Sequence, residues 1–313
     1  MSLRALIAGF LLVVASTPSS AAPIAYGESI ATVNGQSQGT LYRIDLATRV
    51  ANLIGPAGLV GGAYTYNVRG LSFAPGGQLY AVSEDLAVLL QISATTGKAT
   101  LIGALNTPSN ATQDLSLAFT CDGKAWLASG TTGNFWQVNT STGATTLVGN
   151  LGGTITGLAA QGNILYGTGS QANQNLYTID TTNAKTALVG AYGGTTGAVH
   201  TISPGFDSSG QLWAILDNNP GYNTNTIETW SNLAQIDPVG AMTKLGTITG
   251  TTLVSGVGLI GLAIAPPVCG SGVGDPDVGV PHPTPALSRT GLLLLMLSLI
   301  ALAGAGMRTR RRS

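Results

Sequence analysis

Charge is scarce in this chain. Its 313 residues include only 13 basic and 13 acidic side chains, where an ordinary soluble protein is about one-quarter charged. Histidine occurs only as His200 and His282, which excludes a multi-histidine metal centre. Cysteine is limited to Cys121 and Cys269. No HExxH pair or phosphate-cradling glycine loop opening a helix occurs. His200 has no acidic partner near it in sequence and reads as a loop residue rather than a general base. The balanced net charge conceals an asymmetry. Six basic residues are Arg4, Arg289, Arg308, Arg310, Arg311 and Arg312, leaving seven against thirteen acidic ones in the remainder. An acidic body of this kind argues against nucleic acid as a partner.

What is present begins at the ends. Residues 1–21 have a short start with Arg4, the apolar run Ala5 to Ala15 and a small-residue stretch ending in Ala21. This is the grammar of a secretory signal peptide, with cleavage expected between Ala21 and Ala22. Near the other end, Gly291 to Met307 is a run of 17 uncharged, largely apolar residues. As a helix it would cover about 25 Å, enough to span a locally thinned bilayer. The arginines after it would stay on the cytoplasmic side, leaving the body outside. Pro266 to Pro285 is rich in proline and glycine, so residues 266–285 read as a spacer.

The stretch from Pro283 to Ser313 resembles the bacterial IPTL-CTERM and PEP-CTERM sorting tails. Pro285, Leu287, Ser288 and Gly291 match their motif, while Ala286 and Thr290 stand where those tails carry Thr and Trp. The resemblance implies an exosortase-like sorting enzyme as partner and a membrane-anchored or released product in the cell envelope. It assigns residues 286–313 to the tail and is silent about the body.

Residues 22–265 are a repeat. The segments starting at Leu41, Leu89, Phe135, Leu176 and Leu233 share an apolar-x-x-apolar-polar frame, each followed after 13 or 14 residues by Gly55, Gly103, Gly149, Gly190 or Gly246. A second family starts at Gly70, Ser116, Gly157 and Ser203, preceding its partner by 19 residues in the first three cases and 30 in the fourth. Each unit reads as four short strands joined by Gly, Asn, Asp and Thr turns, the signature of propeller blades. A fifth first strand at Gly261 has nothing after it, while Ser29 to Asn34 and the strands that follow have no first strand before them. Joining them closes a circle and removes exposed edges. The expected class is all-β, a propeller of four-stranded blades plus one C-terminal transmembrane helix. Five blades are favoured, with six or an irregular sandwich as alternatives. The units resemble those of bacterial surface propeller-like proteins with Leu-Tyr-x-Ile-Asp-x-x-Thr-Gly repeats, which implies a fold and not an activity.

Loop length places the candidate site. Long connections run from Pro56 to Arg69, Ala104 to Leu115, Ala191 to Ile202 and Thr247 to Ile260, with an insertion from Asp217 to Asn232. All join fourth to first or second to third strands and so emerge at one end of a propeller, where binding residues concentrate on a rigid frame. The candidate binding residues are Tyr64, Tyr66, Asp217, Asn218, Asn219, Tyr222, Glu228 and Trp230. The Asp217 loop offers oxygen ligands for Ca²⁺ but lacks the alternating carboxylates of an EF-hand, so no cofactor is expected and Ca²⁺ stands as the alternative. The leading expectation is an exported surface module that binds a partner or glycan. A secreted metal-dependent lyase- or lactonase-like enzyme would use Asp114, Asp217 and Glu228, and a passive coat protein would need no ligand. The recurrent aromatics Tyr80, Trp126, Tyr166 and Trp213 read as core between blades rather than a sugar ladder. Cys121 and Cys269 are the candidate disulfide, with free or intermolecular thiols as the alternative.

Overall fold

A computed structural model describes residues 23–33, 36–107, 113–153, 155–170, 173–193, 199–217, 231–250 and 258–269. These belong to one compact unit that runs through Cys269. The calls on the signal peptide, sorting motif and transmembrane helix lie outside the described residues, among which no helix is long and apolar enough to cross a membrane.

The described chain is all-β. It begins with β1 (Ile24–Val33), β2 (Gln36–Asp45) and β3 (Val50–Pro56), then a short hairpin, β4 (Leu59–Val60) with β5 (Ala63–Tyr64). Blade two is β6 (Val68–Phe73), β7 (Leu79–Ser83), β8 (Val88–Ile92) and β9 (Ala99–Ala104). Blade three is β10 (Leu115–Phe119), β11 (Ala125–Ser129), β12 (Asn134–Val138) and β13 (Thr145–Asn150). Blade four is β14 (Ile155–Gln161), β15 (Ile164–Gly169), β16 (Asn175–Ile179) and β17 (Thr186–Ala191). Blade five is β18 (Thr201–Phe206), β19 (Leu212–Asp217), β20 (Ser231–Ile236) and β21 (Met242–Thr247), and β22 (Ile260–Ala263) ends the series.

The order β22-β1-β2-β3 makes the fifth sheet from both chain ends. Five four-stranded antiparallel blades therefore close into a ring, as the repeat arithmetic anticipates. One boundary differs: β1 starts at Ile24 rather than Ser29, because its pairing with β2 extends to Asp45.

Turn chemistry explains why each third strand reverses. The Asp45 carboxylate accepts the Ala47 and Thr48 amides, Asn139 Oδ1 those of Ser141 and Thr142, and Asp180 that of Thr182. Such side-chain caps favour a turn over a continued strand. These bonds hold the Asp180 carboxyl, through Thr182 first, below the usual carboxylate range, and that of Asp45, through the Thr48 amide first.

The repeated glycine after each third strand has a packing origin. The third and fourth strands lose register by a bulge in all five blades, immediately before the glycine on the fourth strand. There the fourth strand meets the turn of the next blade. A Cβ on Gly103 or Gly190 would stand 1.9 Å from the carbonyl oxygen of Thr142 or Val239, and one on Gly55 2.4 Å from that of Thr96.

The core lies between blades as five clusters rather than one centre. Tyr26 packs on Phe73, Tyr80 on Phe119 and Tyr166 on Phe206, each pair joining a second strand to the next blade's first strand. Trp126 and Trp213 are buried and donate their indole N–H to Thr120 Oγ1 and Asp207 at 3.0 and 2.8 Å. The recurrent aromatics are thus core, where their area stabilises most.

Candidate functional site at the channel mouth

The five inner strands line a narrow channel whose walls include Gly70, Ser116, Thr156, Ser203 and Gly261. The lining is mostly spent on holding the ring together. Ser116 Oγ accepts the Leu158 amide, Thr156 Oγ1 that of Ile202 and Ser203 Oγ that of Gly261, each bond linking neighbouring inner strands. One charged residue lines this space, Arg69. It occupies the repeat position held by Leu115, Thr156, Ile202 and Ile260 in the other blades.

Arg69 organises a polar cluster at the end where the long connections emerge. Its Nη1 donates to Asp114 Oδ1 at 2.8 Å, its Nε to Asn67 Oδ1 at 3.0 Å, and Glu84 Oε2 lies 3.5 Å from Nε. Asn67 Nδ2 donates to Glu84 Oε2 at 2.7 Å, and the Leu115 amide donates to Glu84 Oε1. Glu84 is fully buried at its side chain. Burial pushes its carboxyl up to about 7, against the lowering effects of Arg69 and its hydrogen bonds. Asp114 takes a left-handed backbone, φ 48°, a conformation in which non-glycine residues are held only by their surroundings.

Next to this cluster, Asp85 pins the connection that carries the two tyrosines. Its carboxylate accepts the Tyr66 and Asn67 amides and the Thr65 and Ser83 hydroxyls. The backbone of residues 65–67 is thereby fixed while Tyr64 and Tyr66 remain 39% and 43% exposed. Leu59, on the same hairpin, is 58% exposed. Rigid backbone with protruding aromatic rings lowers the entropy lost on contact with a ligand.

Of the residues expected from sequence, Tyr64, Tyr66 and Asp114 lie on the connections at this end. Asp217 ends β19 at the same end, where its carbonyl accepts the His200 amide at 2.7 Å. Asn218, Asn219, Tyr222, Glu228 and Trp230 lie outside the described residues, as do Pro285, Leu287, Ser288 and Gly291. Among the described residues no group of three or more His, Cys, Asp or Glu side chains is placed to hold a metal ion. The reading from sequence missed Arg69, Glu84 and Asn67. The available signal was a cation in an inner-strand register that is uncharged in every other repeat.

At the opposite end, Cys121 follows β10 and Cys269 follows β22. The structure joins them in a disulfide with Cα atoms 5.4 Å apart.

A family model described as a domain of unknown function, DUF4394, matches residues 54–159. No curated protein matches the chain. The crystal structure of virginiamycin B lyase from Staphylococcus aureus is similar at 14% identity, covering 70% of each chain with a TM-score of 0.41. A chain of the nidogen/laminin complex is similar at 14% identity, covering 77% of this chain and 98% of that one with a TM-score of 0.48. No function is carried over from either.

Proposed function

We propose that this is an exported cell-surface propeller that binds a partner or glycan through its loop-rich end, with its tail serving as a sorting and anchoring signal for an exosortase-like enzyme. One observation carries the binding reading: Tyr64 and Tyr66 protrude from backbone immobilised by Asp85, beside the Arg69, Glu84 and Asp114 cluster. Tyrosine rings stack on sugar faces and anchor protein partners alike. Export draws support from the signal-type start, the sorting-tail resemblance and the disulfide, since disulfides persist in oxidising compartments.

Binding of full-length protein to a panel of surface polysaccharides and isolated envelope proteins tests the reading. A ligand for which Tyr64→Ala plus Tyr66→Ala weakens binding about tenfold or more, without lowering the melting temperature, supports it. Binding that survives the double variant overturns it, and no binding at all favours the passive coat. Export is tested by the intact mass of the mature protein. A mass starting near Ala22 and ending before the apolar tail supports processing, whereas a membrane-held chain retaining Arg308 to Arg312 makes the tail a plain anchor.

A second reading, the secreted metal-dependent lyase- or lactonase-like enzyme, is favoured by one observation: a carboxyl raised to about 7 beside an arginine at a channel mouth. Tuned carboxyls are the material of acid and base catalysis. A divalent-cation shift in thermal stability that disappears in Asp114→Ala would select this reading, and no response to any ion would remove it.

A further inference from the structure

The seam that closes the ring differs from every other contact between first and second strands. β22 pairs with β1 at two registered positions, Tyr26 with Ala263 and Glu28 with Ile260, separated by an irregularity. By comparison, β10 pairs with β11 at five consecutive positions and β18 with β19 at six, and β6–β7 and β14–β15, which also carry an irregularity, still pair at four and six positions. Those strands are also tethered by hairpin turns, whereas β22 and β1 lie at opposite ends of the described chain. The seam also buries a carboxyl where the other blades carry an uncharged side chain. Glu28 stands in the register of Val82, Ala128, Thr168 and Ile215, is 1% exposed, and has both carboxyl oxygens without a hydrogen-bond partner. A buried polar group without a partner costs stability wherever it sits. Here it sits on the one strand pair that no turn reinforces. Side contacts do help: Ser203 Oγ accepts the Gly261 amide and Ser231 Oγ that of Leu259.

Cys269 lies just beyond β22 and is bonded to Cys121, in the turn between the first and second strands of blade three. The bond thus ties the closing strand of blade one to a blade that is not its neighbour. Cys269 is exposed and Cys121 partly so, so a reductant can reach the bond.

We propose that the Cys121–Cys269 disulfide is the fastener of the ring, and that its reduction releases β22 from blade one while the other blades stay folded. The chemistry is thiol–disulfide exchange with a dithiol reductant. One reductant thiolate bonds to a protein sulfur and expels the other protein sulfur as a thiolate; the second reductant thiolate then attacks the reductant sulfur of this mixed disulfide and expels the remaining protein sulfur. The protein gains two electrons and two protons as a pair of thiols, and the reductant leaves as a disulfide. The consequence is an opened sheet edge on β1, available for pairing with another strand.

Hydrogen exchange on the full chain, oxidised and then reduced with dithiothreitol, tests this. Reduction should lower the protection of Ile260–Ala263 and its β1 partners by about 100-fold, as expected for the loss of a long-loop cross-link, and leave β6, β10, β14 and β18 within about threefold. The double variant Cys121→Ser, Cys269→Ser should reproduce this without reductant. In the reduced state Glu28→Val should recover about tenfold of the lost protection, by removing the unpartnered carboxyl. Unchanged protection of β22 on reduction, or an equal loss in all inner strands, would overturn the proposal. A reduced Glu28→Val protein indistinguishable from the parent would overturn the part assigned to Glu28.

Discussion

At the residue scale, the buried carboxyls are the feature with the clearest measurable signature. Burial raises the Glu28 carboxyl to about 8, and the rise of the nearby Tyr42 hydroxyl is caused first by its own burial and then by Glu28. Glu84 is raised to about 7, again by burial first. Both groups hold their proton more tightly folded than unfolded. Their stabilising contribution is complete below the ordinary carboxylate range near 4.5 and is lost as pH rises towards 7 and 8. We therefore expect the urea midpoint to fall between pH 5 and pH 8. The limiting slope is ~1.4 kcal/mol per pH unit for each such carboxyl, before any relaxation. Glu28→Gln should flatten that slope, and denaturation series at several pH values in this window check it. Asp207 is the opposite case. Burial raises its carboxyl, but hydrogen bonds from Ser209, Trp213 and Gln211 outweigh it and leave it lowered. Asp207→Asn should therefore destabilise most clearly above pH 5, where the carboxylate is charged, by about 1 to 3 kcal/mol.

At the element scale, the recurring unit is a strand ended by a bulge against the next blade's turn. The glycine there is set by space: in Gly103 and Gly190 the pro-Cβ position is filled by a neighbouring carbonyl. Gly103→Ala and Gly190→Ala should each lower stability by about 1 to 3 kcal/mol through overpacking against backbone, read from the denaturant midpoint. The same bulge leaves an apolar side chain of the outer strand exposed in four blades, at Leu53, Leu101, Leu147 and Leu188, where blade five has Lys244. Bulges on outer strands discourage edge-to-edge pairing, which allows a leucine to stay in water there.

At the scale of the whole molecule, stability is shared among five interfaces, and the ring is only as closed as its last one. The disulfide spans 148 residues of sequence separation and ties the closing strand across the ring, so its stabilisation falls on that last interface. In the reduced protein the loss of β22 should precede the main urea transition, and the double variant Cys121→Ser, Cys269→Ser should show the same early loss with or without reductant. The division of labour between the two ends follows from the same closure. Short turns and the disulfide occupy one end, while the long connections, the tyrosines and the Arg69 cluster occupy the other.

Much of the architecture was legible because repetition makes local signals add. Aligned Leu41, Leu89, Phe135, Leu176 and Leu233, and the glycines after them, gave strand type, blade count and circular closure without any contact being known. The aromatics at Tyr80 and Trp126 were legible as core because a residue that recurs in one strand register meets the same neighbour in each blade. The site was legible only in outline. Loop length pointed to the end of the ring that carries Tyr64, Tyr66 and Asp114, since strand direction alone fixes where a connection emerges. Sequence could not place Arg69 against Glu84, across one hairpin, together with Asp114, which is 45 positions away and joins them only when blades two and three pack. Nor could it show that Glu28 is buried without a hydrogen-bond partner or that Cys121 is bonded to Cys269. Period and turn chemistry act between residues close in the chain and were decided by the sequence itself. Burial, pairing and the poise of a carboxyl depend on what the fold brings from elsewhere, and were decided only by the tertiary structure.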